Sequence, residues 1–342
     1  MKTPDDVLAA GSRIGDRYVI ERRLGAGAMG SVYAARAASE PASGPARFAI
    51  KALLAATTAK GDAEERRARF MREAAVCANI KHPNVVPVVD HGIDEATGIP
   101  FLVMPLLVGE DLASVLDRVG CLEPETAIAL VVQACEGLAA AHALGVVHRD
   151  VKPSNLFLEG GTGDDGASVA VKVTDFGLAK ALDEAPGSPG ALTGTGRFMG
   201  TPQYVSPEQA ISAKHVDLRT DVYSLAMSLY HALAGRPAFA YVRSFMGMVL
   251  ELTAREAPSL QEAAPWVPAQ VARIVHAALK RDPGARCPSA LELALALDFA
   301  VGIDASRRPV TGAALRPLSD TTRARLAPVA ELPSSWEELL RI

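Results

Sequence analysis

His148-Arg149-Asp150-Val151-Lys152-Pro153-Ser154-Asn155, and further along Asp175-Phe176-Gly177, are the stretches on which the reading of this chain turns. Asp150 is placed to accept the proton of an attacking hydroxyl. Lys152 can neutralise negative charge on a group in transfer. Asn155 offers a neutral oxygen, a donor that suits Mg2+. Asp175 directly follows the strand-like Val171-Lys172-Val173-Thr174 and puts a hard carboxylate at a strand end. His148 is read as a packing residue that orients the loop, and Pro153 and Gly177 as fixing backbone turns. Taken alone, Asp175-Phe176-Gly177 is an ordinary turn after a strand.

Toward the N-terminus the next signal is Gly25-Ala26-Gly27-Ala28-Met29-Gly30, followed by Ser31 and Val32. Residues without a Cβ let backbone N–H groups approach phosphate oxygens. A dinucleotide-binding turn requires a helix directly after the glycines. Here an alternating strand pattern follows, which favours a hairpin folded over phosphates. Lys51, in Ala49-Ile50-Lys51, stands on a third strand read over 48–54. A cation there can hold phosphates if a carboxylate fixes it, and Glu73 sits mid-helix in a segment read over 62–80. In that helix Phe70, Ala74, Cys77 and Ala78 share one stripe. Further strands are expected at 84–90 and 100–106. Each of Lys51 and Glu73, taken alone, is a solvated surface charge.

Beyond about residue 110 helical patterns dominate, at 124–144, 218–234, 268–279 and 288–301. Two short strands, 156–158 and 169–174, flank a Gly/Asp-rich insertion. The segment 183–200 is rich in Gly, Pro, Ser and Thr and too long for an ordinary connector. The change from sheet to helix implies two lobes with a ligand cleft between them. The apolar run Thr126 to Val147 is broken by Gln133, Glu136 and His142, which marks a buried core helix rather than a membrane span. From about Gly302 periodicity is lost, and the chain reads as a disordered tail. It ends on a short amphipathic helix pattern around Trp336, with Ser335 and Glu338 spaced as a capping box; a frayed end and a docking peptide both fit.

Among 342 residues the formal net charge is −4, which excludes a basic nucleic-acid-binding footprint. Hydrophobic residues make up 49% and charged residues 22%, so wholesale disorder is excluded. The four cysteines are scattered, without metal-ligand spacing or the density of a disulfide framework. Reduced thiols and a cytoplasmic setting follow. The N-terminus has early acids and no apolar run, unlike a signal peptide.

In this order and approximate spacing, Gly25–Val32, Ala49-Ile50-Lys51, His148–Asn155, Asp175-Phe176-Gly177 and Ser206-Pro207-Glu208 resemble the eukaryotic-type protein kinases. The resemblance covers about residues 16 to 301 and is strongest to bacterial serine/threonine kinases. It implies an α+β, bilobal fold: a small antiparallel-sheet lobe with one main helix, about 16–107, and a larger helical lobe, about 108–301. Residues 1–15 become an N-terminal extension and 302–342 the tail. The implied activity is transfer of the ATP γ-phosphoryl group to Ser/Thr hydroxyls of proteins, with Mg2+ or Mn2+ as cofactor.

Carried over by position, Leu24, Gly25, Ala26, Gly27, Ala28, Met29, Gly30, Ser31 and Val32 form a lid over the phosphates. Lys51 contacts the α- and β-phosphates and pairs with Glu73. Asp150 is the base, Lys152 the γ-phosphate contact, and Asn155 and Asp175 the metal ligands. Ala49, Val32 and Leu156 sandwich adenine, Met104 is the gatekeeper, Leu107 belongs to the hinge and Asp111 meets ribose. Lys152 and Thr201 point to Ser/Thr acceptors. Thr193 and Thr195 are the autophosphorylation candidates, with Ser188 behind them; a phosphate there can pair with Arg149. Protein substrates are the implied partners, with a homodimer through the small lobe as a family habit. Pro105 departs from the pattern by removing an N–H at the hinge, and Ser206 stands where Ala is commoner. Glu208 is expected to pair with Arg286.

Overall fold

The computed structural model describes residues 8–27, 30–39, 47–53, 63–161, 166–176, 202–212, 216–242 and 244–341. Two compact units divide between Leu107 and Val108, with residues 82–85 belonging to the second.

The first unit is a six-stranded antiparallel sheet in the order β1-β2-β3-β4-β6-β5. Its strands are β1 (Arg13–Ile14), β2 (Tyr18–Gly27), β3 (Gly30–Ala37), β4 (Phe48–Ala52), β5 (Asp90–Ile93) and β6 (Pro100–Pro105). One helix, α1 (Ala63–Ala78), accompanies it. Ile20, Tyr33, Ile50, Phe101 and Val103 form one buried core. On α1 Phe70, Ala74 and Cys77 are buried, with Ala78 half-buried, as the stripe requires. The expected strand at 84–90 is displaced: pairing begins only at Asp90, and Val85 makes a lone bridge to Val173. Pro83 and Pro87 explain this, because neither carries a donor for a ladder. Nor are residues 8–14 a separate extension: Leu8 and Ile14 are buried in the sheet core, and β1 pairs with β2.

The second unit holds a four-stranded sheet, β10-β9-β8-β7. Its strands are β7 (Gly109–Asp111), β8 (Leu156–Gly160), β9 (Ser168–Val173) and β10 (Val310–Thr311). The helices are α2 (Leu112–Val119), α3 (Pro124–His142), α4 (Pro207–Ile211), α5 (Arg219–Ala234), α6 (Phe245–Ala254), α7 (Leu260–Ala263), α8 (Ala269–Ala278) and α9 (Ala290–Val301). Three short turns follow: α10 (Ile303–Ser306), α11 (Asp320–Arg323) and α12 (Trp336–Leu339). Helix α3 is apolar nearly all round and α5 is buried along almost its whole length, the pattern of helices in the interior. Among the described residues no helix is long and apolar enough to cross a membrane.

The C-terminal residues are not the disordered tail that their lack of periodicity suggests. Residues 302–341 are packed on the second unit. Val310 and Thr311 add a strand to β9. Arg307 pairs with Asp298 at 2.8 Å and with Glu136. Arg118 donates to the Leu315 carbonyl at 3.2 Å, and the Ser319 N–H to Glu123 at 3.0 Å. The Gln261 amide clamps the chain, donating to the Pro328 carbonyl at 2.9 Å and accepting from the Ala330 N–H at 2.7 Å. Trp336 is buried, and α12 packs on α8. Its anchors, Val310, Leu315, Leu318 and Trp336, have no common spacing, so no period could announce them.

Candidate active site

In the first unit the strand register gathers the expected nucleotide contacts on one face. Val32 lies opposite Lys51 and Ala49 opposite Met104. Directly paired residues point to the same side, and residues two apart on a strand do likewise. Val32, Ala49, Lys51 and Met104 therefore share a face, while Tyr33, Ile50 and Val103 fill the buried core on the other.

The glycine hairpin pairs Gly25 with Val32, Ala26 with Ser31 and Gly27 with Gly30, with bulges beside Ile20 and Arg23. Ala28 and Met29, at its tip, lie outside the described residues. Gly30 is forced by packing: a Cβ there would stand 2.0 Å from the Ala52 carbonyl oxygen, at φ +155°. Gly25 has nothing within 4 Å of that position, so its smallness leaves open space above the strand. Leu24 is exposed and Ser31 buried.

Glu73 is half-buried on α1, and its charge helps burial raise the Cys77 thiol to about 11. At the end of β6, Leu106 N–H donates to the Arg47 carbonyl at 2.9 Å. Phe48 and Pro105, one step inward, face each other in the alternate pairing that exchanges no hydrogen bond. Pro105 thus removes no bond to β4, which is why proline is tolerated there. Leu107 follows, half-buried.

In the second unit Asp150, Lys152 and Asn155 meet. Lys152 Nζ lies 2.9 Å from Asp150 Oδ2. Asn155 Nδ2 donates to the Asp150 carbonyl at 2.7 Å and to its Oδ2 at 3.2 Å. With Nδ2 so engaged, the Asn155 Oδ1 is the atom left for a hard cation. The chain then runs into β8 at Leu156, which is buried. Asp111 N-caps α2, accepting from the Ser114 N–H and hydroxyl at 3.0 Å each, so its carboxylate already has work within the unit.

Two residues of this region hold left-handed backbone without being glycine: Arg149, φ +63°, and Asp175, φ +61°. Such conformations cost on the order of 1–3 kcal/mol each and persist where surroundings fix them. The surroundings here are specific. Asp221, on α5 and fully buried, accepts from the Arg149 N–H at 2.7 Å, the His148 N–H at 2.7 Å and His142 Nε2 at 2.8 Å. Gln209 Nε2 donates to the Arg149 carbonyl at 2.9 Å.

Ahead of Asp175, Thr174 N–H donates to the Asn155 carbonyl at 2.9 Å. The Thr174 carbonyl lies 2.8 Å from His148 Nε2, and the Asp150 N–H donates to His148 Nδ1 at 3.2 Å. Burial lowers the His148 pKa despite the charges of Asp221, Asp150 and Asp175. The ring is therefore neutral, with Nε2 the donor and Nδ1 the acceptor. It joins the backbone of Asp150 to the residue before Asp175, and Phe176 packs on it at 4.7 Å. The expected orienting role of His148 thus has a definite form.

Mg2+ is commonly held by one or two protein carboxylates, with phosphate and water completing its shell. Asn155 and Asp175 fit that donor set. Among the described residues no cluster of three or more His, Cys, Asp or Glu side chains could hold a metal alone.

The positions of Asp221, Gln209 and His142 in this site are not announced by the sequence. Asp221 lies in an apolar helix, and a carboxylate inside such a helix is the one signal that could have singled it out. Glu208 and Arg286 do pair, through two parallel bonds of 2.8 and 2.9 Å, with Arg286 stacked on Tyr223. Burial would raise the Glu208 pKa, but Arg286 outweighs it and holds the carboxyl below its usual range. Gly177, Ser188, Thr193, Thr195 and Thr201 lie outside the described residues.

The protein kinase domain model matches residues 18–295. The serine/threonine-protein kinase PknA of Mycobacterium tuberculosis is 35% identical over 327 residues, 95% of this chain and 68% of that protein. The serine/threonine-protein kinase pkn3 of Myxococcus xanthus is 33% identical, over 96% of this chain and 57% of its own length. A probable serine/threonine-protein kinase of Corynebacterium efficiens, CE0033, is 34% identical, over 84% of this chain and 41% of its own. The chain thus spans only about half the length of several curated relatives. The crystal structure of the Mycobacterium tuberculosis PknI kinase domain aligns with a TM-score of 0.64 at 28% identity, covering 86% of this chain and all of that one. With the motif order, the sheet-plus-helix first unit and the hydrogen-bonded loop 148–155, these matches show that the chain belongs to the protein kinase family and carries a kinase domain of the bacterial serine/threonine type.

Proposed function

We propose that the chain transfers the γ-phosphoryl group of ATP to serine and threonine hydroxyls of proteins. The observation that carries this reading is the arrangement of Asp150, Lys152 and Asn155 around one carboxylate, joined through His148 to the segment that presents Asp175. Asp150 takes the hydroxyl proton. Lys152 neutralises charge on the transferred group, and Lys51, oriented by Glu73, holds the α- and β-phosphates. Asn155 and Asp175 would hold Mg2+, which when bound would offset the negative charge of the phosphates. Leu24 to Val32 cover the phosphates, and Ala49, Val32, Met104, Leu107 and Leu156 take the adenine. Asp111 adds a ribose contact if its cap is shared. Turnover of roughly 1–100 s⁻¹ is the expected range.

Autophosphorylation at Thr193 or Thr195, with Arg149 taking the phosphate, is the proposed regulation. A cytoplasmic setting accords with the four cysteines, all buried and unpaired. The test is labelling of a basic protein from γ-labelled ATP by wild type, Lys51→Met and Asp150→Asn, followed by mapping of phosphate on the chain. Both variants should lose labelling; retention by either removes the reading. Active enzyme without phosphate anywhere in 183–201 removes the regulatory part alone.

A further inference from the structure

Arg149 sits between two peptide planes, and each is held by a side chain from outside the loop 148–155. The plane before it is fixed through its N–H, which donates to Asp221 Oδ1 at 2.7 Å. The plane after it joins Arg149 to Asp150. Its carbonyl accepts from Gln209 Nε2 at 2.9 Å, and its N–H donates to His148 Nδ1 at 3.2 Å. With both planes held, the left-handed backbone at Arg149, φ +63°, is pinned in place. The second plane matters more for chemistry. A peptide unit turns as one rigid piece, so its rotation changes ψ of Arg149 and φ of Asp150 together. That rotation swings the Asp150 Cβ and the carboxylate beyond it.

Gln209 stands on α4, a helix of only five residues, too short to persist alone. Two devices fix it. Glu208 makes its two parallel bonds to the buried Arg286. Ser206 caps the helix: its Oγ accepts from the Gln209 N–H at 3.3 Å, and Gln209 Oε1 faces the Ser206 N–H at 3.5 Å. The Ser206 hydroxyl also meets the Thr220 hydroxyl at 2.5 Å, and both residues are fully buried. Thr220 directly precedes Asp221. The contacts therefore close a ring, from the Arg149 N–H through Asp221, Thr220, Ser206 and Gln209 back to the Arg149 carbonyl. The Gln209 amide has one orientation in this ring, because the Arg149 carbonyl can only accept and the Ser206 N–H can only donate. Alanine, the commoner residue at position 206 in the family pattern, could neither cap α4 nor reach the Thr220 hydroxyl. The motif alone thus does not imply the ring.

We infer that Gln209 is a positioning residue for phosphotransfer: its amide, braced by Ser206 and Thr220, sets the peptide plane that directs the Asp150 carboxylate. This rests on the phosphotransfer reading above. Gln209 acts through the backbone ahead of Asp150, so its loss should slow the reaction and leave ATP binding unchanged. A misplacement of about 1 Å at a reacting group costs about 10²-fold in rate.

The test compares wild type, Gln209→Met, Gln209→Glu and Ser206→Ala in steady-state phosphorylation of a basic protein, with rates normalised to the folded fraction measured by circular dichroism. Gln209→Met keeps the bulk and loses both side-chain bonds. Gln209→Glu keeps the shape and the acceptor and loses only the donor. Both should lower kcat by about 10- to 100-fold, with KM for ATP within about twofold of wild type. Ser206→Ala should lower kcat by about three- to tenfold, the size of one hydrogen bond. Adding it to Gln209→Met should lower kcat no further, because both act through one carbonyl. A purely structural part for Gln209 would reduce the folded fraction and leave kcat of the folded enzyme unchanged. Active wild type in which either Gln209 variant keeps kcat, or loses it together with ATP affinity, overturns the inference and leaves the phosphotransfer reading standing. A double variant whose losses multiply overturns it too. Wild type that labels nothing removes the phosphotransfer reading itself, and the inference with it.

Discussion

The loop 148–155 and the C-terminal segment, 302–341, are both largely irregular, and both are held by bonds from side chains to main chain. They differ in what does the holding. The loop hangs on Asp221, a fully buried carboxylate with three donors, and on a neutral buried histidine. The segment is held at scattered points by Arg118, Glu123, Gln261 and Arg307, several of them open to water. A buried charge that loses its partner cannot turn to solvent, whereas a surface group can. Strained backbone at Arg149 and Asp175 persists in the first kind of frame and is absent from the second.

Removing anchors from each region should have unequal effects. The largest effect is expected at Asp150, the proposed base. Asp150→Asn should lower kcat by about 10²- to 10⁴-fold, the usual contribution of a general base, with an unchanged melting temperature. A variant that melts early instead would make Asp150 a structural residue.

Next comes the buried Arg286–Glu208 pair. Arg286→Met should cost about 3–5 kcal/mol in urea unfolding, because it strands Glu208. Adding Glu208→Leu should recover much of that loss. A single variant costing under about 1 kcal/mol would place the pair with the surface ion pairs.

Acid should act on His148, His231 and His276, which packing withdraws from water. Burial holds His231 and His276 at about 4 and lowers His148. Because these folded-state values lie below the ordinary 6.5, the unfolded chain binds more protons as pH falls. Stability is then complete above about pH 6.5, declines as pH drops through it, and levels off near pH 4 as far as His231 and His276 are concerned. A shift of this size corresponds to about 3 kcal/mol for each of these two. Urea midpoints unchanged between about pH 7 and pH 5 would contradict it.

In the C-terminal segment Trp336→Ala should release residues around 324–341, read as faster amide exchange there. The local opening free energy should fall by up to about 3 kcal/mol, with little change in the global midpoint. The smallest effect belongs to a single rim anchor: Arg118→Ala should cost about 0–1 kcal/mol. A loss as large as that of Arg286 would erase the distinction between the two regions.

Much of this was legible in the residues. The glycine hairpin, the helix carrying Glu73, the helices at 124–142 and 219–234, and the pair Glu208–Arg286 follow from period, turn chemistry and motif order. Asn155 beside Asp150 follows from their closeness in the chain. Asp221 was not legible, because its partners come from distant positions and its own helix reads as uniform core. The seating of the C-terminal segment was invisible for a related reason: Trp336 and the Gln261 clamp depend on where α7 and α8 come to rest.

By itself the sequence determined which chemical groups are present, which strands and helices carry them, and which face of each is apolar, because these depend on neighbours within a few residues. Tertiary structure alone decided which buried carboxylate holds the strained loop, which tautomer His148 adopts and where 302–341 lies. Those outcomes depend on desolvation and hydrogen-bond satisfaction among residues far apart in the chain, and folding settles them all at once.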